Sequence, residues 1–378
     1  MMNRVTVFNP YPIKGCWVRG ALALQALALV ALAIPTAAYA GQYGDIETFA
    51  AVPSAPGFPE GISVQGNRVY VSGPATAGTA GTGPSQVLVY KRNSGQFEST
   101  ITVAGENTAF EHALSCNAVD RKQRLYTLTA QLFAPPEERK GILRFTKKGK
   151  SYLQETYSEA FPNLPSCAFG PDFPGACSLP NDLAFADDGN LYVSDSFQGV
   201  IWRVPPGGGA PLVWLQSPLL SGGGQFPIGV NGIRLDPSRQ HVYFSVTFSA
   251  ANPGVGAIYR VPLVQEPVAA DVELVHEYAQ GEAPDGFAFG RSGNLYVALA
   301  AANQISVLAP DGSEISRIAS QAGDDIPLDA PANIAFDNAR RSLLVTNHAS
   351  FNPNPDHFAV LNVFVNDVAA TLAKPSLP

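Results

Sequence analysis

The chain is 378 residues long, 46% hydrophobic and 15% charged, with a formal charge of −7 that becomes −10 once an N-terminal leader carrying Arg4, Lys14 and Arg19 is removed. An acidic surface of this kind argues against nucleic acid and anionic membranes as partners. Its 4 cysteines form no Cys-x-x-Cys pair and its 5 histidines no cluster, so zinc held by thiolates is not expected.

Residues Met1–Ala40 have basic but no acidic side chains, an apolar run from Ala21 to Ile34, and Ala38-Tyr39-Ala40 ahead of Gly41. This is the pattern of a secretory signal with a small-residue cleavage site. The run falls short of the roughly twenty apolar residues that cross a bilayer. The expectation is a mature chain over 41–378, secreted or periplasmic, monomeric and without membrane insertion. Cys16 leaves with the leader. Cys167 and Cys177 can then close the loop Ala168 to Ala176 and leave Cys116 free, or Cys116 can pair with either of them.

The mature chain reads as short apolar runs separated by turns. Leu183 to Ala186, the turn Asp187-Asp188-Gly189-Asn190, Leu191 to Ser194 and Val200 to Val204 make an antiparallel meander, because Gly and Asn accept the positive φ such turns need. The same grammar recurs at intervals of about fifty residues, which is the length of a propeller blade. Blade one is expected over Ile62 to Val64, Val69 to Ser72, Gln86 to Lys91 and Phe97 to Val103, with Pro74 to Pro84 a loop at the rim. Blade two takes Asn117 to Asp120, Leu125 to Ala130, Gly141 to Thr146 and Tyr152 to Tyr157; blade three is the meander plus Leu212 to Leu215. The triple glycines at 207–209 and 222–224 lack the Lys-Ser/Thr of a phosphate loop and read as turns. Blade four takes Ile233 to Asp236, Val242 to Thr247, Ala257 to Val261 and Val272 to Tyr278. Blade five takes Phe287 to Phe289, Leu295 to Leu299, Gln304 to Leu308 and Glu314 to Ile318.

Blade six is one strand short, with Ile334 to Phe336, Ser342 to Thr346 and Phe358 to Val365. An open edge in a ring of sheets invites aggregation. The unpaired apolar segment Ile46 to Val52 is therefore expected to complete it. The fold class is all-β, a single six-bladed β-propeller closed by an N-terminal strand.

One position of the repeat carries chemistry. About ten residues before the second strand of each blade stand Glu60, Ser115, Asn181, Asn231, Asp285 and Asn333. Innermost strands line a central channel, so these residues are expected to converge on its axis. Carboxylates and carboxamides are hard oxygen donors suited to calcium, magnesium or manganese. Asn, Asp and Ser also cap turns by bonding local backbone, which accounts for any one of them alone. Recurrence at one position, and Glu60 where no turn needs a Glu, turn the reading toward a metal. His348 can reach the cavity as an acid or base, or bond loop backbone; Asp195 is expected to bond a turn.

The sequence resembles the senescence-marker-protein and gluconolactonase-like six-bladed propellers, related more distantly to paraoxonases and strictosidine synthases. Pro59-Glu60-Gly61, Asn181-Asp182, Asn231-Gly232-Ile233 and Pro284-Asp285-Gly286 carry the likeness, and the Phe358 to Pro378 tail is similar to that family's closing strand. The resemblance implies one divalent cation, with calcium expected and magnesium, manganese or zinc as alternatives. Glu60, Asn231 and Asp285 would hold it, and Asn181 would contact metal water or substrate. It further implies hydrolysis of a small-molecule lactone or related ester, with Asp285 and Asn181 as the catalytic residues. The family's substrate-contacting Arg and lid residues have no match, and the loops Pro74 to Pro84, Phe161 to Leu179 and Phe248 to Gly256 are particular to this chain. The other function class left open is a secreted propeller that binds a small apolar molecule or a partner without turnover around a structural metal.

Overall fold

The structure is a computed structural model that describes residues 41–167, 175, 177–224 and 227–378. The leader expected over Met1–Ala40 lies outside the described residues. Among those described, the strands form six four-stranded antiparallel sheets. Five are meanders of consecutive strands, and the sixth is completed from the other end of the chain.

Burial follows from blade packing. The second strand of blade three, Leu191–Asp195, is buried at every position, because a neighbouring blade covers each of its faces. The outermost strand, Leu212–Gln216, keeps Leu212, Val213 and Gln216 in solvent. Between blades three and four, Tyr192, Ile201 and Trp214 meet Ile233, Phe244 and Val261 in one apolar layer. Each fully buried side chain of this size contributes about 1.5–3 kcal/mol. Equivalent layers separate the other blades, so the core is a ring of seams.

Closure occurs as expected. Ile46–Ala51 lies antiparallel to Ala359–Phe364, with Ile46 opposite Val363 and Ala51 opposite Ala359. The resemblance of the tail to a closing strand is corrected here: Ala359–Phe364 is the third strand of blade six, and the N-terminal segment is the outermost. The seam with blade one carries a buried ion pair. Asp337 accepts from Arg92 Nε at 2.8 Å and Nη2 at 2.6 Å, and from Arg340 Nη1 at 2.5 Å. Cys167 and Cys177 are bonded with Cα atoms 5.8 Å apart, and Cys116 is free and buried.

The inner strands differ from expectation in a way that builds the site. In blades two to six they begin about three residues early, at Leu114, Pro180, Val230, Pro284 and Pro331. Pairing then shifts register across two residues, between Leu114 and Asn117, Pro180 and Leu183, Val230 and Ile233, Pro284 and Phe287, and Pro331 and Ile334. A bulge of this kind bends the strand and re-aims its side chains.

Candidate active site

The bulges sort the axial residues into two rings. The first bulged position holds Ser115, Asn181, Asn231, Asp285 and Ala332, with Glu60 the equivalent in blade one. The second holds Cys116, Asp182, Gly232, Gly286 and Asn333, with Gly61 in blade one. Asn333 was expected in the first ring, and the register places it in the second, one residue deeper than Asp285 and its equivalents. The second ring is crowded. A Cβ on Gly232 would stand 2.6 Å from the Asp285 carbonyl oxygen, and one on Gly286 2.6 Å from Asn333 Cγ.

Hydroxyls from the second strands tie the blades together at this level. Ser245 Oγ accepts the Gly232 N–H at 2.8 Å and donates to the Asp285 carbonyl at 2.8 Å, one blade on. Thr346 Oγ1 does the same between Asn333 N and the Glu60 carbonyl, and Ser194 between Asp182 N and the Asn231 carbonyl.

Glu60, Ser115, Asn181, Asn231, Asp285 and His348 all line one axial cavity of about 460 Å³. Asn333 is not among its lining residues. The orientation of the two carboxamides is fixed by their anchors. Asn231 Nδ2 donates to Thr247 Oγ1 at 2.9 Å, and that hydroxyl has already given its proton to the Pro284 carbonyl. Asn181 Nδ2 likewise donates to Ser196 Oγ at 3.2 Å, whose proton goes to the Val230 carbonyl. A hydroxyl whose proton is spent can only accept, so each amide must turn its nitrogen to the hydroxyl and its oxygen away. Asn181 Oδ1 and Asn231 Oδ1 are consequently buried without a partner among the described residues. An unpartnered buried acceptor costs about 1–3 kcal/mol.

Among the described residues no Lys or Arg pairs with the Glu60 or Asp285 carboxylate. Burial pushes the Glu60 carboxyl well above its ordinary range, and the charges of Asp285 and Asp182 push it further. Burial and then Asp182 raise the Asp285 carboxyl to about 8, against the opposing hydrogen bonds of the Gly286 N–H and the Asn231 side chain. Two orphaned oxygens and two destabilised carboxylates in one cavity fit a hard divalent cation and its bound water. Among the described residues no three His, Cys, Asp or Glu side chains converge as a metal group, consistent with a donor set half made of carboxamides.

His348 bonds loop backbone and also lines the cavity. Its Nε2 donates to the Ala75 carbonyl at 2.8 Å, which leaves Nδ1 as an acceptor 3.5 Å from Glu60 Oε2. Burial lowers its pKa to about 4, so the ring is neutral near pH 7. Asp195 bonds turns and the Trp202 indole, as expected.

The floor has a second layer that sequence reasoning missed. Arg234 crosses the axis, with Nη1 paired to Asp182 and Nη2 donating to Asn333 Oδ1 at 2.9 Å. Asn333 Nδ2 in turn reaches Cys116 Sγ at 2.8 Å. Side chains from blades two, three, four and six thus meet below the cavity, and Asp182, unlike Glu60 and Asp285, has its own cation. The signal was present: the other blades have Ser63, Ala118, Ala184, Ala288 and Ala335 at the position where blade four has Arg234.

Fold and site together define a six-bladed propeller with an oxygen-donor centre at the floor of its axial cavity. Comparison with known proteins points to the same fold. Residues 225–349 match the family model described as "SMP-30/Gluconolactonase/LRE-like region", and the chain resembles that group of propellers. No curated protein matches its sequence. Among solved structures, a gluconolactonase from Xanthomonas campestris aligns with a TM-score of 0.55 at 19% identity, over 86% of this chain and 91% of that one. Regucalcin from Agrobacterium tumefaciens, a calcium-binding protein, aligns with a TM-score of 0.59 at 16% identity, over 88% and 97%. A PQQ-bound aldose sugar dehydrogenase from Streptomyces coelicolor aligns with a TM-score of 0.55 at 14% identity, over 84% and 97%. At such identities the likeness shows the fold alone, and the third carries a different chemistry on it.

Proposed function

We propose that the protein is a divalent-metal-dependent hydrolase of a lactone or related ester, with calcium as its cation. The observation that carries this reading is the pair of orphaned carboxamide oxygens, Asn181 Oδ1 and Asn231 Oδ1, in the same cavity as Glu60 and Asp285. Glu60, Asn231 and Asp285 would hold the cation, and Asn181 would face water or substrate. When bound, the cation would supply Lewis acidity toward the ester carbonyl. The rest falls to the chain. Water adds to the carbonyl carbon, the ring C–O bond breaks, and the departing oxygen takes up the proton that the water gave. Asp285 receives that proton in transit, and His348, neutral and fixed by Ala75, is a second candidate acceptor in the cavity.

The reading is supported by the gluconolactonase and regucalcin likenesses. Export through the 1–40 leader is part of the same proposal, and the Cys167–Cys177 bond suits an oxidising compartment. The test is a panel of lactones and aryl esters assayed with calcium and with chelator. Chelator-sensitive hydrolysis is expected. Binding of panel members without turnover would instead establish the non-catalytic propeller.

A further inference from the structure

Above its floor the cavity changes character. Phe133 and Phe351 stand at the mouth, 50% and 59% exposed, and Leu132, Leu179, Phe197 and Phe248 continue the wall inward. Among the described residues no Lys, Arg or Gln lines the cavity. The polar side chains of the wall are occupied by the protein itself. The Glu111 carboxylate accepts from Gly78 N, Thr79 N and Thr79 Oγ1, and so pins the Pro74 to Pro84 loop. His112 has one ring nitrogen on the Phe110 carbonyl and the other on the Gly83 carbonyl, both at 2.9 Å. Thr76 donates to the Ala77 carbonyl. Among the described residues Ser350 is the one wall hydroxyl not engaged in this way.

From this division we infer that the substrate is a lactone or ester bearing an apolar alkyl or aryl group, and not a polyhydroxylated sugar-acid lactone. The inference rests on the hydrolase reading and names its substrate class. The ester carbonyl belongs at the polar floor, and the substituent lies along the phenylalanine wall. A sugar lactone would bring several hydroxyls against that wall and lose their water without partners, a loss incurred for each unsatisfied group. An alkyl chain gains by leaving water. The volume of about 460 Å³ falls within the range of small-molecule sites, roughly 300–1,000 Å³, and leaves room above the ring for such a group.

The test uses the calcium-loaded protein and γ-butyrolactones with γ-substituents from hydrogen to hexyl, a γ-phenyl analogue, and glucono-δ-lactone. Specificity, kcat/KM, is expected to rise roughly fourfold for each methylene that enters the wall, and to be lowest for the sugar lactone. Phe351→Ala and Phe133→Ala change exposed side chains, so the variants are expected to fold, and they should flatten this dependence on chain length. Binding of the matching 3-alkylcyclopentanones, which cannot be hydrolysed, is measured calorimetrically in parallel. Hydrolysis that favours glucono-δ-lactone, or ignores chain length, overturns the inference and leaves the hydrolase reading standing. Ketone affinity that rises with chain length, without turnover of any lactone, supports the apolar wall and removes the hydrolase reading. Absence of both binding and turnover overturns both.

Discussion

Asp285 and Glu60 are the two carboxylates of the first ring, and Asp285 is the one to which the proposed mechanism gives the proton. Asp285→Asn keeps an oxygen donor and nearly the same volume while removing charge and base. Turnover is expected to fall roughly a hundredfold to ten-thousandfold, the usual cost of losing a general base, while calcium affinity falls only modestly. Asn231→Ala should respond in the opposite sense, with activity partly recovered by added metal. Near-full turnover of Asp285→Asn at saturating calcium would remove Asp285 as the base and point to His348. Arg234 is a positioning residue, since it touches the ring below the cavity and not the cavity wall. Arg234→Met leaves Asp182 buried and unpaired, which costs roughly 3–5 kcal/mol. Adding Asp182→Asn should restore part of that loss in urea denaturation; a double variant no more stable than Arg234→Met would mean that the pair does not account for the cost.

At the scale of the blade, the strands and their number were legible because turn chemistry and apolar runs recur at a fixed period. The bulges were not. Each adds one residue to an inner strand that is buried at nearly every position, so hydrophobic alternation does not mark it, and only the bulges decide that Asp285 and Ala332, not Asn333, share a ring. Glu60, Asn181, Asn231 and Asp285 could be picked out because four oxygen donors stand at one repeat position. Arg234 was passed over because its role depends on a partner one blade away, although an Arg in place of Ala or Ser was visible. The closing strand was legible from a deficit, and it can be tested by deletion. A chain lacking Gly41 to Val52 exposes the edge of Ala359–Phe364 and should aggregate or fail to fold; a monomeric product with an unchanged Tm would refute the role assigned to this strand. The neighbouring seam has a pH signature. Burial pushes the Asp337 carboxyl up, but the hydrogen bonds and charges of Arg92 and Arg340 outweigh it and hold its pKa below the usual range. Its contribution is therefore complete above the unfolded-state value, about 4, and is lost as pH falls through the lower folded-state value. The stability difference between the parent protein and Asp337→Asn should shrink between pH 4 and pH 2. A difference as large at pH 2 as at pH 7 would show that the pair is not its source.

A closed ring couples the axial site to every blade. The carbonyls of Glu60, Asn231 and Asp285 each accept a hydroxyl from the preceding blade, so whatever settles the floor also settles three blade junctions. Without a cation the floor carries two raised carboxyls and two orphaned oxygens, all of them unfavourable in the folded state alone. A cation bound only by the folded chain stabilises it by about 2.7 kcal/mol at a hundredfold excess over Kd. Calcium should therefore raise the Tm by several degrees, and chelator should reverse the rise. The increment should diminish in Glu60→Gln and Asp285→Asn, which weaken the site, and persist in Phe351→Ala, which alters only the mouth. Elemental analysis after gel filtration supplies the stoichiometry, expected near one calcium per chain. One tightly held calcium with no effect of chelator on Tm would place the ion elsewhere than at this floor, whereas a stoichiometry well below one in calcium-containing buffer would leave the four oxygens without the ligand proposed for them.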